Sequence, residues 1–113
     1  MGFLDFLASI ITYTPSEIYG DYFENVISAD RKYKGKHIRV RGVVTFVTYG
    51  YISVAQEIND YTKKIDCHFY SPNSERLESL KAGKTVWVSG TCEGFSSGGI
   101  RMDDCKIEDV SLF

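Results

Sequence analysis

Six of the thirteen Lys and Arg residues fall within positions 31–41: Arg31, Lys32, Lys34, Lys36, Arg39 and Arg41. Aromatic and imidazole side chains follow at Tyr49, Tyr51, His68, Tyr70 and Phe95. Cations can hold phosphate while ring faces stack bases at about 1–3 kcal/mol each, so this mixture is what a binder of single-stranded nucleic acid needs. Acids crowd elsewhere, at Asp103, Asp104, Glu108 and Asp109, so a formal net charge of −2 conceals a dipole across the surface. That small net charge excludes a protein that coats nucleic acid by charge alone. The same residues also fit a solvated or protein-binding face, because Tyr suits the outer surface of a pleated sheet.

Other chemistry is weaker. Gly94-Phe95-Ser96-Ser97-Gly98 spells a nucleophile elbow. That device needs a strand-to-helix turn with a histidine downstream. Here both histidines, His37 and His68, lie upstream. Gly83-Lys84-Thr85 echoes a phosphate loop, but position 78 is Glu where a glycine is needed. Cys67 and His68 are adjacent in a predicted strand and point to opposite faces, which one metal cannot easily bridge. Asp103-Asp104 reads as a solvated bulge. The three cysteines, Cys67, Cys92 and Cys105, form no C-x-x-C pair and an odd count, and read as reduced, buried thiols. The sequence therefore predicts no enzyme, no metal and no cofactor.

These residues need a frame. At 113 residues, 43% hydrophobic and 25% charged, the chain is one ordinary small domain with one core. Thr14-Pro15-Ser16-Glu17 starts a helix, with Thr14 as cap and Pro15 in the first turn. Ile18, Tyr19, Tyr22, Phe23, Val26 and Ile27 give it one apolar stripe that ends near Asp30. The period then drops to two. Strands are predicted over residues 37–47, 51–57, 63–70, 85–93 and 100–110. Ile38, Val40, Gly42, Val44 and Phe46 point inward from the first; Arg39 and Arg41 point outward. Gly42 marks a sharp coil or bulge, and the slip from Ile100/Met102 to Cys105/Ile107 marks a bulge at Asp103-Asp104. A short helix opening at Ser71-Pro72-Asn73 buries Leu77 and Leu80. Trp87 points outward, either as an exposed anchor or packed under the first helix.

Helix, three strands, short helix, two strands is the order of an OB-fold, a five-stranded, partly open Greek-key barrel of the all-β class. The run Ala29-Asp30-x-Lys32-Tyr33-Lys34-Gly35-Lys36-x-Ile38-x-Val40-x-Gly42-x-Val44 resembles the opening of the bacterial OB-fold family called tRNA-anticodon-binding-like. Cys67-x-Phe69, Leu80-x-x-Gly83-x-x-Val86-x-Val88-x-Gly90-x-Cys92-x-Gly94 and Asp104-Cys105-x-Ile107 are similar to its later blocks. The resemblance covers residues 15–110. It implies the barrel and a link to nucleic acid, and carries over no catalytic or ligand-contacting residue.

The expected function is thus a non-catalytic binding module for single-stranded or structured nucleic acid. Lys34, Lys36, Arg39 and Arg41 would hold the backbone, and Tyr49, Tyr51, His68, Tyr70 and Phe95 would meet the bases. The alternative is a protein-interaction or assembly module. Residues 1–13 form an apolar segment ahead of a single domain at 14–113. Phe3, Leu4, Phe6, Leu7, Ile10 and Ile11 recur at helical spacing, which suits a truncated leader, a helix docking on a protein or lipid, or an extra turn on the body. No apolar run reaches the length of a membrane-spanning helix. A cytoplasmic location is expected, with a membrane-associated or exported one if the first residues are a leader.

Overall fold

The computed structural model describes residues 11–70 and 74–112. In chain order the elements are β1 (Thr12–Tyr13), α1 (Pro15–Glu24), α2 (Val26–Tyr33), β2 (His37–Val47), β3 (Tyr51–Ala55), β4 (Ile65–His68), α3 (Ser74–Ser79), β5 (Thr85–Ser96) and β6 (Gly99–Val110). The strands run β1-β2-β3-β4-β6-β5, and β5 pairs back onto β2. That last pairing closes five strands into a mixed barrel. β1 lies outside the closed set, parallel to β2 at Arg39 and Val40. The β4–β6 pair is parallel and all other barrel pairs are antiparallel. This is the expected OB barrel, and closure removes most of the open edges that a small sheet would otherwise expose.

β2 is long because it serves two neighbours. Its first half, from His37 to Val43, pairs with β5, and its second half pairs with β3 from Val43 onward. The alternation read from the sequence fills the interior: Val40, Val44, Ile52, Val54, Ile65, Val86, Val88, Met102 and Ile107 are at most 1% exposed. Gly42 is a close-packing position. A Cβ there would lie 3.1 Å from Val54 Cβ and 3.2 Å from both the Ala55 oxygen and Pro15 Cγ. The bulge in β2 comes three residues later. Val44 pairs with Val54 but Phe46 pairs with Ser53, leaving Thr45 as the extra residue. The expected bulge in β6 is present: Ser89 pairs with Lys106 and Thr91 with Asp103, and Asp104 sits at φ 53°.

The single helix expected over 14–30 is two. Thr14 caps α1, its Oγ1 accepting from the Glu17 N–H at 3.3 Å. Asn25 then breaks the run with extended backbone (φ −163°, ψ 109°), and its Oδ1 caps α2 by accepting from the Ser28 N–H at 3.0 Å. Asn competes for backbone hydrogen bonds and so prefers caps to helix interiors. The break turns the second part of the stripe away from the barrel. Phe23, Val26 and Ile27, expected inside, are 63%, 52% and 68% exposed. Ala29 and Tyr33 are the residues that α2 buries.

Three tyrosine hydroxyls tie the helices down. Tyr19 donates to the Lys64 carbonyl and accepts from the Ile100 N–H at 3.2 Å. Tyr22 donates to Asp30 Oδ1 at 2.8 Å, and Tyr33 to Asp21 Oδ2 at 2.5 Å. Burial first, then these carboxylates, hold the Tyr22 and Tyr33 hydroxyls well above the ordinary range. The Tyr33 hydrogen bond, followed by Lys32, holds the Asp21 carboxyl below its ordinary value. The thiols of Cys67, Cys92 and Cys105 are free and buried, as expected. Contact with Cys105, then burial, pushes the Cys67 thiol up, so it is protonated and unreactive at neutral pH.

Candidate nucleic-acid interface

β3 and β4 position the most coherent site. Their side chains alternate in direction, so Ile52 and Val54 point into the barrel while the half-buried Tyr51 and the buried Ser53 face the other way. Tyr51 and His68 are cross-strand partners. Their rings stack with centroids 4.8 Å apart and planes 20° from parallel. The Thr45 bulge brings in a third ring. Phe46, expected in the core, is 51% exposed and lies 6.0 Å from the Tyr51 ring at 49°. The extra residue reverses the alternation, so Val47 packs against the core instead.

Two further rings stand at the same end of the barrel. The β2–β3 turn is fastened to the end of β4 by the Phe69 N–H, which donates to the Gly50 carbonyl at 2.8 Å. Tyr49 precedes that glycine and is fully exposed; Tyr70 follows that phenylalanine and is 90% exposed. Gly50, at φ 84°, is what lets the turn close so tightly. Phe46, Tyr49, Tyr51, His68 and Tyr70 thus occupy one rim and the wall below it. Burial, then the nearby Arg101 charge, lowers the His68 pKa from its ordinary 6.5, so its ring is neutral at physiological pH.

Beneath the rings the wall is polar and internally matched. Ser53 Oγ donates to Asp66 Oδ1 at 2.6 Å, and Lys64 Nζ lies 3.0 Å from both Asp66 oxygens. On β6, Arg101 Nε donates to Asp103 Oδ1 at 2.6 Å. Arg101 is the register partner of Asp66, which places this pair beside His68. Arg101 escaped the sequence reading because only the parallel β4–β6 pairing brings it here. Phe46 escaped because nothing in its own alternation signals the bulge.

The other candidates stand elsewhere. Arg39 and Arg41 are on the first half of β2, paired in register with Ser89 and Trp87 of β5. Arg39 is half-buried and its Nε donates to Thr12 Oγ1 at 2.8 Å. Arg41 is exposed and shares a shallow groove with Trp87, Val43, Gln56, Thr85 and Ser111. Lys34 is exposed beside Gly94, and Lys36 Nζ donates to the Arg31 carbonyl at 2.6 Å. Phe95 packs on the helical end of the barrel, its ring 5.9 Å from Tyr22 and 6.0 Å from Tyr19. The structure therefore joins Tyr49, Tyr51, His68 and Tyr70, and sets the cations and Phe95 apart from them. Of the apolar segment Phe3–Ile11, residues 3–10 lie outside the described residues; Ile11 is 52% exposed.

Among the described residues, no cluster of three or more His, Cys, Asp or Glu side chains could hold a metal, and no helix is long and apolar enough to cross a membrane. The sequence matches the family model for tRNA_anti-like proteins over residues 7–106. The chain belongs to the tRNA_anti-like family. This tRNA_anti-like chain is also similar to a solved structure from Klebsiella pneumoniae subsp. pneumoniae MGH 78578, a candidate nucleic acid-binding lipoprotein. The two share 24% identity and a TM-score of 0.72 over 96% of this chain and 99% of that one, which shows a common fold. A fainter likeness is to the telomere capping protein Ten1 from Saccharomyces pombe, at 12% identity and a TM-score of 0.47 over 88% and 77% of the two chains. No curated protein matches the sequence.

Proposed function

We propose that this protein is an OB-type module that binds single-stranded nucleic acid without catalysis, and that the β3–β4 wall and its rim are the binding surface. The observation that carries this reading is the set of exposed rings at Phe46, Tyr49 and Tyr70 around the half-buried, stacked Tyr51 and His68. OB barrels take oligonucleotides across the strand pair that corresponds to β3 and β4, beside the loop that corresponds to the Tyr49 turn. Exposed rings on such a wall offer bases a stacking surface of little sequence preference. Membership of the tRNA_anti-like family supports the same ligand class.

Fluorescence anisotropy with a labelled 12-residue single-stranded DNA or RNA tests it. Tyr49 and Tyr70 contribute nothing to the core, so Tyr49→Ala and Tyr70→Ala leave folding intact. Each should weaken binding by about 5- to 150-fold if one base stacks on each ring, the equivalent of 1–3 kcal/mol. Absence of binding by the parent protein at 20–50 mM salt and ~50 µM protein would falsify the reading.

A further inference from the structure

The charges around the rings point to how such a ligand is held. The outward positions of β3, of β4 and of the stretch of β6 paired with it carry one cation, Arg101, and its guanidinium is already engaged by Asp103 at 2.6 Å. Lys64, next to the wall, is held bidentately by Asp66. The dense cation run of residues 31–41 is spent on other surfaces. Arg39 and Arg41 lie on the β2–β5 side, Lys32 pairs with Asp21 at 2.9 Å, and Lys36 holds the Arg31 carbonyl. Tyr49 and Tyr70, by contrast, stand almost fully in solvent, above the Tyr51–His68 stack.

Building on the reading above, we propose that the rim captures the bases of a short unpaired stretch of nucleic acid by stacking, with almost no pairing of phosphates. The preferred ligand is a single-stranded end or loop whose bases are already splayed. A duplex, whose bases face each other and whose exterior is phosphate, is excluded. Neutral His68 fits this role, since a flat uncharged ring stacked on Tyr51 offers a face rather than a charge.

Two properties separate stacking from phosphate pairing. Each phosphate neutralised on a single strand adds about −0.7 to the slope of log K against log salt. Binding of the full chain to a labelled 12-residue oligothymidylate, followed from 50 to 400 mM salt, should give a slope no steeper than about −1.4, the value for two phosphates. A 12-residue abasic strand with the same phosphates should bind at least ~5-fold more weakly, the loss expected from removing even one stacked base. Arg41→Gln should change affinity less than about twofold, since one exposed cation away from the contact surface has little to lose. A steeper slope, or equal binding of the abasic strand, overturns this inference while leaving the module a nucleic-acid binder. Failure of the parent protein to bind either strand at 50 mM salt overturns the underlying function as well.

Discussion

Gly90 is where the barrel is tightest, and alanine there should be strongly felt. A Cβ at Gly90 would sit 2.6 Å from Cys105 Sγ, 2.9 Å from the Asp103 oxygen and 3.2 Å from Cys105 Cα. Two of those three atoms are backbone, and they flank Asp104, whose φ of 53° shows the β6 bulge already in an uncommon conformation. A rotamer change can therefore relieve only the sulfur contact; the rest requires β6 to shift. Overpacking of this kind costs about 1–3 kcal/mol, of which the lower chain entropy of alanine returns at most about 1. With backbone atoms at 2.9 and 3.2 Å the cost lies in the upper half of that range, and the resulting net loss of about 1–2 kcal/mol lowers Tm by roughly 4–15 °C in a domain near 100 residues. Gly20 is the control: it lies exposed inside α1, and a Cβ there meets nothing within 4 Å. Gly20→Ala should stabilise by about 1 kcal/mol through helix propensity. Urea unfolding followed by circular dichroism reads both. Cys105→Ala on top of Gly90→Ala should recover only part of the loss, because the Asp103 oxygen remains. If Gly90→Ala is as stable as the parent, the packing argument for the bulge is wrong.

Further outcomes are expected. Tyr19→Phe strips a hydrogen bond from the buried Ile100 N–H and another from the Lys64 carbonyl, and should cost about 1–3 kcal/mol in the same unfolding measurement; a change below ~0.5 kcal/mol would contradict the role given to that hydroxyl. The fold holds the His68 pKa below its ordinary 6.5, so the unfolded chain takes up that proton first. Its contribution is complete above 6.5 and is lost as pH falls from 6.5 through the lowered value, and His68→Gln should flatten the stability profile in that window. Asp21 and Asp60 are held below 3.8, so their contributions survive this window and disappear only as pH falls below 3.8. Trp87 is the single tryptophan and lies on the β2–β5 side with Arg41. Its emission should stay constant while oligonucleotide binds, and quenching at saturation would place the ligand on that wall instead.

Most of the barrel was legible because β alternation is a strong local signal. Ile38, Val40 and Val44, or Val86, Val88 and Cys92, need only their own spacing to point inward, and they do. The β6 bulge was legible for the same reason, since the alternation itself slips between Met102 and Cys105. The Thr45 bulge was not, because Phe46 continues the apolar pattern on paper. Its displacement depends on the register against β3, which is a property of two strands together. The break at Asn25 had a local signal, a cap-favouring residue inside a helical stripe, but the stripe continues through it and outweighs it in a simple reading. β1 is two residues long, too short for periodicity to register. Its position comes from pairing with Arg39 and Val40.

The separation of cations from rings follows from the double duty of β2. One strand that pairs with β5 over its first half and with β3 over its second must curve around the barrel, so its outward side chains do not share a direction. Arg39 and Arg41 leave from the first half, and Phe46 leaves from the second, past the bulge. In the sequence they are five to seven positions apart and of opposite parity, so simple alternation puts the arginines outside and Phe46 inside. Residues of like parity on a flat strand line a single face, which would make Arg39, Arg41 and Val47 one outer row. The coil and the extra residue at Thr45 together defeat that inference: the coil moves the arginines to another wall, and the bulge exchanges Val47 for Phe46 on the outside. On this account, deleting Thr45 should remove the bulge and leave Val44, Phe46 and Val47 in a regular ladder against Val54, Ser53 and Ile52, with Phe46 still outward and Val47 still inward. The Phe46 ring should stay open to solvent, and oligonucleotide affinity should change by less than about twofold, well under the 5-fold or more expected for one lost stacking face. A Thr45 deletion that folds but buries Phe46, or that loses about 5-fold or more in affinity, would refute it.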